Sequence, residues 1–77
     1  MEVKEKIRNF LSRFVGDKTF EDSDNIFEKG LVNSLFAMQL VMFIENDFEV
    51  TMQNEDIELE NFKNVNSIVA LIQSKLN

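Results

Sequence analysis

The absence of proline is the feature that most restricts the fold of this 77-residue chain. Only two glycines interrupt the sequence, so helices are the expected elements over most of its length. Before Gly16, apolar residues recur at spacings of three and four, which predicts an amphipathic helix. The residues of this stripe are Val3, Ile7, Phe10, Leu11 and Phe14. Glycine readily adopts positive φ, so the first helix is expected to end at Gly16.

A long loop over residues 16–33 is predicted to lead into a second helix. Within the loop, Ile26 and Phe27 are expected to reach the core. Because Asn and Ser are both good N-caps, the helix begins at Asn33 or Ser34. It has more apolar residues than one packed face can bury, and exposed apolar surface usually marks a binding site. The residues expected on its inward face are Met38, Val41, Ile44 and, at its end, Phe48.

The segment after this helix is acidic. Residues 49–52 are predicted to be extended. Residues 53–61 are predicted to form a short helix or an irregular turn, with Ile57 and Leu59 directed inward. The segment lacks the alternating oxygen ligands and central glycine of a calcium loop, so a solvated face is expected and no metal site. Its carboxylates are Glu55, Asp56, Glu58 and Glu60, and the methionines expected to fill the core are Met38, Met42 and Met52.

A last helix is predicted to begin at Asn66 or Ser67 and to end near Lys75. Its apolar residues are Ile68, Leu71, Ile72 and Leu76. The sequence therefore predicts an all-α fold in one domain over residues 1–77. The expected architecture is a small four-helix bundle with a long first loop and a short third helix.

The composition excludes several classes of function. The chain has no cysteine and no histidine, which removes disulfides, thiol catalysis, Cys/His zinc sites and every mechanism that needs an imidazole base. Fourteen acidic residues against eight basic ones give a net charge of −6, which repels nucleic acid and anionic lipid. The sequence has no apolar run long enough to cross a membrane and no secretory signal pattern. We expect a monomer in the cytoplasm.

Ser34 stands at the head of the most apolar helix. A helix N-terminus favours an attached anion by ~0.3–1 kcal/mol, so a phosphate ester on this hydroxyl would be stabilised. The run DNIFEKGLVNSL over residues 24–35 resembles the signature of acyl carrier proteins, in which an apolar residue, a Gly and an Asp-Ser-Leu triplet precede the second helix. The resemblance continues through residues 40–50 and extends to the acidic third segment and the final helix, so it covers nearly the whole chain.

This resemblance implies a carrier protein and not an enzyme. A separate phosphopantetheinyl transferase would transfer 4′-phosphopantetheine from coenzyme A to Ser34. The thiol of this arm would hold acyl groups as thioesters, which explains how a cysteine-free chain could take part in thiol chemistry. The implied partners are acyl-activating, acyl-modifying and acyltransferase or synthase enzymes.

The chain departs from the family pattern around the serine, where uncharged residues replace acidic ones. Asn33 replaces the usual Asp, and Phe36 and Gln39 stand where acidic residues are common. Phe36 is either an exposed anchor for a partner or folds back onto the loop at Ile26 or Leu31. The partner contacts expected on this helix are Leu35, Phe36, Gln39, Met42 and Glu45, with Asp47 as a charged neighbour.

Residues 33–40 resemble free-standing carriers of polyketide and antibiotic biosynthesis. In particular they are similar to carriers of unusual malonyl-type extender units, such as methoxymalonyl, hydroxymalonyl or aminomalonyl groups. Two alternatives remain open at this point. One is a D-alanyl or aminoacyl carrier, and the other is an unmodified helical adaptor that binds proteins through the apolar helix.

Overall fold

The computed structural model of the protein describes residues 2–16 and 18–76, and these contain helices and loops but no strand. Four α-helices follow in chain order, with one 3-10 turn before the third. They are α1 (Glu2–Val15), α2 (Ser34–Phe48), the turn Asn54–Asp56, α3 (Leu59–Phe62) and α4 (Val65–Leu76). This order confirms the predicted all-α bundle with a long first loop and a short third helix.

Local backbone chemistry sets the helix ends. Gly16 follows α1 with φ +65°, and its N–H donates to the carbonyl of Ser12 at 3.1 Å, as predicted for a glycine stop. Glu49 ends α2 in the same left-handed region, with φ 55°. The prediction of an extended segment is therefore wrong at residue 49. Helix α4 begins one or two residues earlier than predicted because Asn64 Oδ1 accepts the N–H of Ser67 at 2.7 Å and so caps it.

Buried side chains from α1, α2, α3, α4 and the first loop meet in one apolar core. Each main helix presents one line of residues to it, at spacings of three or four. The fully buried members are Ile7, Leu11, Ile26, Phe36, Leu40, Ile44, Phe62, Val65, Ile68 and Ile72. Phe10, Val15, Phe20 and Met52 complete the core, so the predicted role of Met52 as core filler is confirmed.

The first loop is held against α1 and against the connection between α3 and α4. Ile26 is buried, as predicted, and its N–H donates to the carbonyl of Lys63 at 2.8 Å. Asp22 forms ion pairs with Lys4 and Arg8, and the Arg8 guanidinium lies 4.4 Å from the centre of the Phe20 ring. These contacts fix the path of the chain toward the start of α2.

Several residues predicted to face inward are exposed. On α2 the buried line is Phe36, Leu40 and Ile44, which places Met38 about 200° around the helix from Phe36 and therefore toward solvent. Met42 is exposed as well, so neither methionine fills the core. Ile57 and Leu59 are also exposed, because α3 is a single turn whose inward residue is Phe62. Phe14 and Leu76 are partly exposed at the margins of their helices.

Candidate functional site

The start of α2 is fixed by Asn33, which the sequence left open as one of two candidate caps. Asn33 has extended backbone dihedrals, and its Oδ1 accepts the N–H groups of Leu35 at 3.1 Å and Phe36 at 3.3 Å. Ser34 is therefore the first residue of the helix and does not serve as its cap.

Because Asn33 provides the cap, the hydroxyl of Ser34 has no structural task in the helix. Ser34 is exposed, and its side chain makes no hydrogen bond to any residue within 2–16 or 18–76. The hydroxyl is thus open to solvent at the start of α2.

The electrostatics at this end of α2 favour an attached phosphate. The first turn contains no acidic side chain, and Asn33 is neutral. The N–H groups at a helix N-terminus carry partial positive charge, which stabilises a nearby anion by ~0.3–1 kcal/mol at an exposed position. A phosphodiester on Ser34 would therefore meet attraction from the helix and no repulsion from its first turn.

The loop before the site folds into consecutive turns. Asn25 Oδ1 accepts the N–H groups of Phe27 and Glu28 at 3.1 and 3.0 Å. Gly30 has φ +72° and donates its N–H to the carbonyl of Phe27, and Leu31 donates to Ile26. These bonds give the approach to Ser34 a defined shape, since the left-handed backbone at position 30 is one that glycine adopts without strain.

Phe36 lies inside the bundle. Its side chain is 1% exposed, and its ring centroid lies 5.0 Å from that of Phe14, 5.9 Å from Phe10 and 6.3 Å from Phe27. The interpretation of Phe36 as an exposed partner anchor is therefore wrong. The alternative of an inward-packed Phe36 is confirmed, but its two nearest rings belong to α1 and the loop ring near it is Phe27. The expected packing on Ile26 or Leu31 stays a prediction.

The exposed face of α2 is apolar near the site. Leu35 is 64% exposed, Met38 69% and Met42 62%. They follow one another at spacings of three and four, so they form one continuous strip beside Ser34. Met38 was predicted to face inward, although its spacing of three and four residues from Leu35 and Met42 is visible in the sequence.

The two polar residues predicted as partner contacts on α2 differ in their surroundings. Gln39 is exposed. Glu45 is half-buried, and its Oε2 accepts the N–H of Met52 at 2.9 Å, so this carboxylate also holds the chain after α2. Asp47 pairs with Lys6 of α1 at 3.3 Å.

The acidic segment carries a structural ion pair. Asp56 pairs with Lys75, and its carboxylate accepts the N–H of Gln53 at 2.8 Å. The hydrogen bond from Lys75, followed by that from Gln53, lowers the pKa of Asp56 below its ordinary value. Among the described residues, no group of three or more acidic side chains has the arrangement of a metal site. No helix in the described part of the chain is long and apolar enough to cross a membrane.

Comparison with known proteins identifies similar chains over nearly this whole length. The family model described as the phosphopantetheine attachment site matches residues 5–72. The D-alanyl carrier protein of Lactococcus lactis subsp. cremoris is 29% identical over 75 residues, which covers 95% of each chain. That of Lactobacillus acidophilus is 26% identical over 78 residues, covering 100% of this chain and 99% of the relative. The acyl carrier protein of Exiguobacterium sibiricum is 34% identical over 74 residues, covering 96% of this chain and 84% of the relative.

Proposed function

The chain belongs to the acyl carrier family defined by the phosphopantetheine attachment site, and from this membership we propose that Ser34 carries the arm. The observation that supports Ser34 most directly is its exposed hydroxyl, which makes no hydrogen bond to the described residues at the start of α2. Family membership implies covalent 4′-phosphopantetheine, and the electrostatics of this helix end fit its phosphate.

Loading replaces the hydroxyl proton of Ser34 with the phosphopantetheine group of coenzyme A. The Oγ–phosphorus bond forms, adenosine 3′,5′-bisphosphate leaves, and the proton passes to a base. The chain has no histidine and the first turn of α2 has no acid, so the transferase supplies that base. The bound arm supplies a thiol that holds acyl groups as thioesters. The carrier presents this cargo to acyl-activating, acyl-modifying and acyltransferase or synthase enzymes in the cytoplasm.

For the cargo we propose a malonyl-type extender unit of polyketide or antibiotic biosynthesis. The proposal is supported by Asn33 and Gln39, which are neutral at positions that are acidic in typical fatty-acid carriers. Phe36 does not support it, because its side chain is buried. D-alanine is the second candidate, because several of the relatives, including that of Lactococcus lactis, are D-alanyl carrier proteins.

The partner surface that we propose is the strip beside Ser34. It keeps Leu35, Gln39, Met42 and Glu45 from the sequence prediction, and Met38 replaces Phe36. A partner enzyme that takes up the arm must approach the start of α2, so these side chains lie within its footprint. Burial of exposed Leu and Met side chains would supply most of the affinity, since exposed ion pairs contribute little.

The attachment site is tested by intact-mass analysis after incubation with coenzyme A and a phosphopantetheinyl transferase. We expect the wild type to gain the mass of one arm and Ser34→Ala to gain none. Ser23→Ala is the matched control, because Ser23 is also exposed and lies in the loop before the site. An unchanged wild-type mass, or a gain that persists in Ser34→Ala, would overturn the assignment.

The cargo is tested on the loaded protein. One sample receives a malonyl-transferring enzyme with malonyl-coenzyme A, and the other receives a D-alanine-adenylating enzyme with ATP and D-alanine. Selective gain of the malonyl mass supports the extender-unit proposal. Selective gain of the alanyl mass replaces it with the second candidate.

A further inference from the structure

A cleft between α1 and α2 lies outside the strip beside Ser34. Its volume is about 360 Å³, within the range of roughly 300–1,000 Å³ that is usual for small-molecule sites. The cleft is open to solvent. Four of its lining residues come from α1 and two from α2: Lys6, Asn9, Phe10, Arg13, Phe43 and Asp47.

The floor of the cleft is aromatic. The rings of Phe10 and Phe43 stack at 4.4 Å between centroids with 18° between their planes. Phe14 continues the row at one end, 5.1 Å from Phe10, and Phe48 at the other, 6.3 Å from Phe43. Of these rings Phe10 and Phe43 line the cleft, and their stacked pair offers a rigid apolar surface on which a short acyl chain can lie.

The rim of the cleft carries an excess of positive charge. Lys6 and Arg13 lie on the same face of α1 with Asn9 between them, at spacings of three and four. Asp47 neutralises Lys6 at 3.3 Å, whereas Arg13 forms no ion pair within residues 2–16 and 18–76. The whole chain has a net charge of −6, whereas the rim of this cleft is positive and attracts an anion.

The Arg13 end of the cleft lies at the same end of the bundle as Ser34. Arg13 precedes Phe14, whose ring lies 5.0 Å from that of Phe36, two residues after Ser34. From Ser34 to Phe43 the rise along α2 is ~13.5 Å. The arm has about 14 bonds in line, which at the reach of an extended chain is ~16 Å. Ser34 and Phe43 lie on opposite sides of α2, because nine residues turn the helix by about 900°. The arm therefore passes around the start of α2 and brings a group at its end to the Arg13 end of the cleft.

We propose that this cleft binds the terminal carboxylate of a short acyl group carried on Ser34, with the acyl chain on the Phe10–Phe43 floor. Arg13 pairs with the carboxylate, since a guanidinium recognises a carboxylate through two parallel N–H bonds. Asn9 offers a further amide donor beside it. The proposal rests on the proposed function and deepens it, because it selects malonyl-type cargo. A neutral acetyl group lacks the paired charge, and the ammonium of an aminoacyl group is repelled by Arg13.

The test compares arms that differ in the terminal carboxylate. Isotope-labelled protein is loaded by the transferase with malonyl or acetyl coenzyme A analogues in which an amide replaces the thioester. Intact mass verifies loading before amide chemical shifts are recorded by NMR. We expect the malonyl arm to shift the amides of Asn9, Arg13 and Phe43, and the acetyl arm to leave them unchanged.

Two variants separate the cleft from general attraction to the protein. Arg13→Gln is expected to abolish the malonyl-specific shifts. Lys18→Gln is expected to preserve them, because Lys18 is likewise an exposed cation for which the described residues provide no ion pair. Equal shifts from both arms, or malonyl shifts that survive in Arg13→Gln, would refute the cleft. Absence of any mass gain would instead refute the loading of the carrier, so the two failures are distinguishable.

Discussion

The ring of Phe36 meets that of Phe14 edge to face, 5.0 Å between centroids and at 78° between planes. This contact joins the first turn of α2 to the last turn of α1, only two residues beyond the free hydroxyl of Ser34. The apolar residue at position 36 therefore fixes the helix end on which the proposed attachment site lies. Its role is to position the site from inside the bundle.

Truncation of Phe36 should consequently unfold much of the protein. Phe36→Ala removes a fully buried ring, and such changes cost ~3–5 kcal/mol, close to the entire stability of a domain this small. Urea denaturation followed by circular dichroism measures the loss. Met38→Ala on the exposed face is the control, with an expected change of at most about 0.5 kcal/mol. Comparable losses in the two variants would contradict this assignment of inner and outer faces.

The two faces of α2 show which part of the structure could be predicted from the sequence. Phe36, Leu40 and Ile44 follow helical spacing, and the exposed strip of Leu35, Met38 and Met42 does so too. Periodicity identifies the helix and both lines, but it cannot decide which line the rest of the bundle covers. That choice depends on where α1 and α4 pack. For this reason the helix order and loop were predicted correctly, whereas Met38 was assigned to the wrong side.

The same ambiguity explains the error in the acidic segment. Ile57 and Leu59 have the right chemistry for core residues, and the sequence predicts them as anchors. The helix that forms is a single turn, and it directs Phe62 inward instead. By contrast, the start of α2 was predicted to within one residue, because capping is a local property of a few consecutive residues.

Asn33 offers a second test of the site. Asn33→Ala should lower the free energy of unfolding by ~0.5–2 kcal/mol, since the N–H groups of Leu35 and Phe36 lose their acceptor. Asn33→Asp should retain the cap, because a carboxylate oxygen accepts the same bonds. Urea titrations of the three proteins measure the effect. If Asn33→Ala were as stable as the wild type, the cap seen here would have no energetic role.

The ion pairs of Asp22 predict a pH dependence of folding. Hydrogen bonding from Lys4, opposed by desolvation and reinforced by Arg8, lowers the pKa of Asp22 below its ordinary value of 3.8. Because the pKa is lower in the folded than in the unfolded state, this stabilisation is complete above the unfolded value and is lost as pH falls through the folded value. Thermal unfolding between neutral pH and about pH 2 should therefore show stability falling below about pH 4. Asp22→Asn should flatten the decline, and an unchanged profile in this variant would count against the loop contact.

The exposed strip on α2 predicts how partner enzymes respond to mutation. Met42→Glu places a charge in the middle of this apolar surface. A contribution of ~1.4 kcal/mol by Met42 to docking corresponds to an approximately tenfold fall in kcat/KM when it is lost. The matched control is Leu76→Glu, which makes the same kind of change at an exposed apolar residue on α4. Both side chains are at least half exposed, so the free energy of unfolding should stay within about 0.5 kcal/mol of the wild type. Steady-state transfer onto the arm by the loading enzyme provides the measurement. A tenfold loss in Met42→Glu alone supports docking through the strip, whereas equal losses in both variants would indicate that partners respond to net charge and not to this surface.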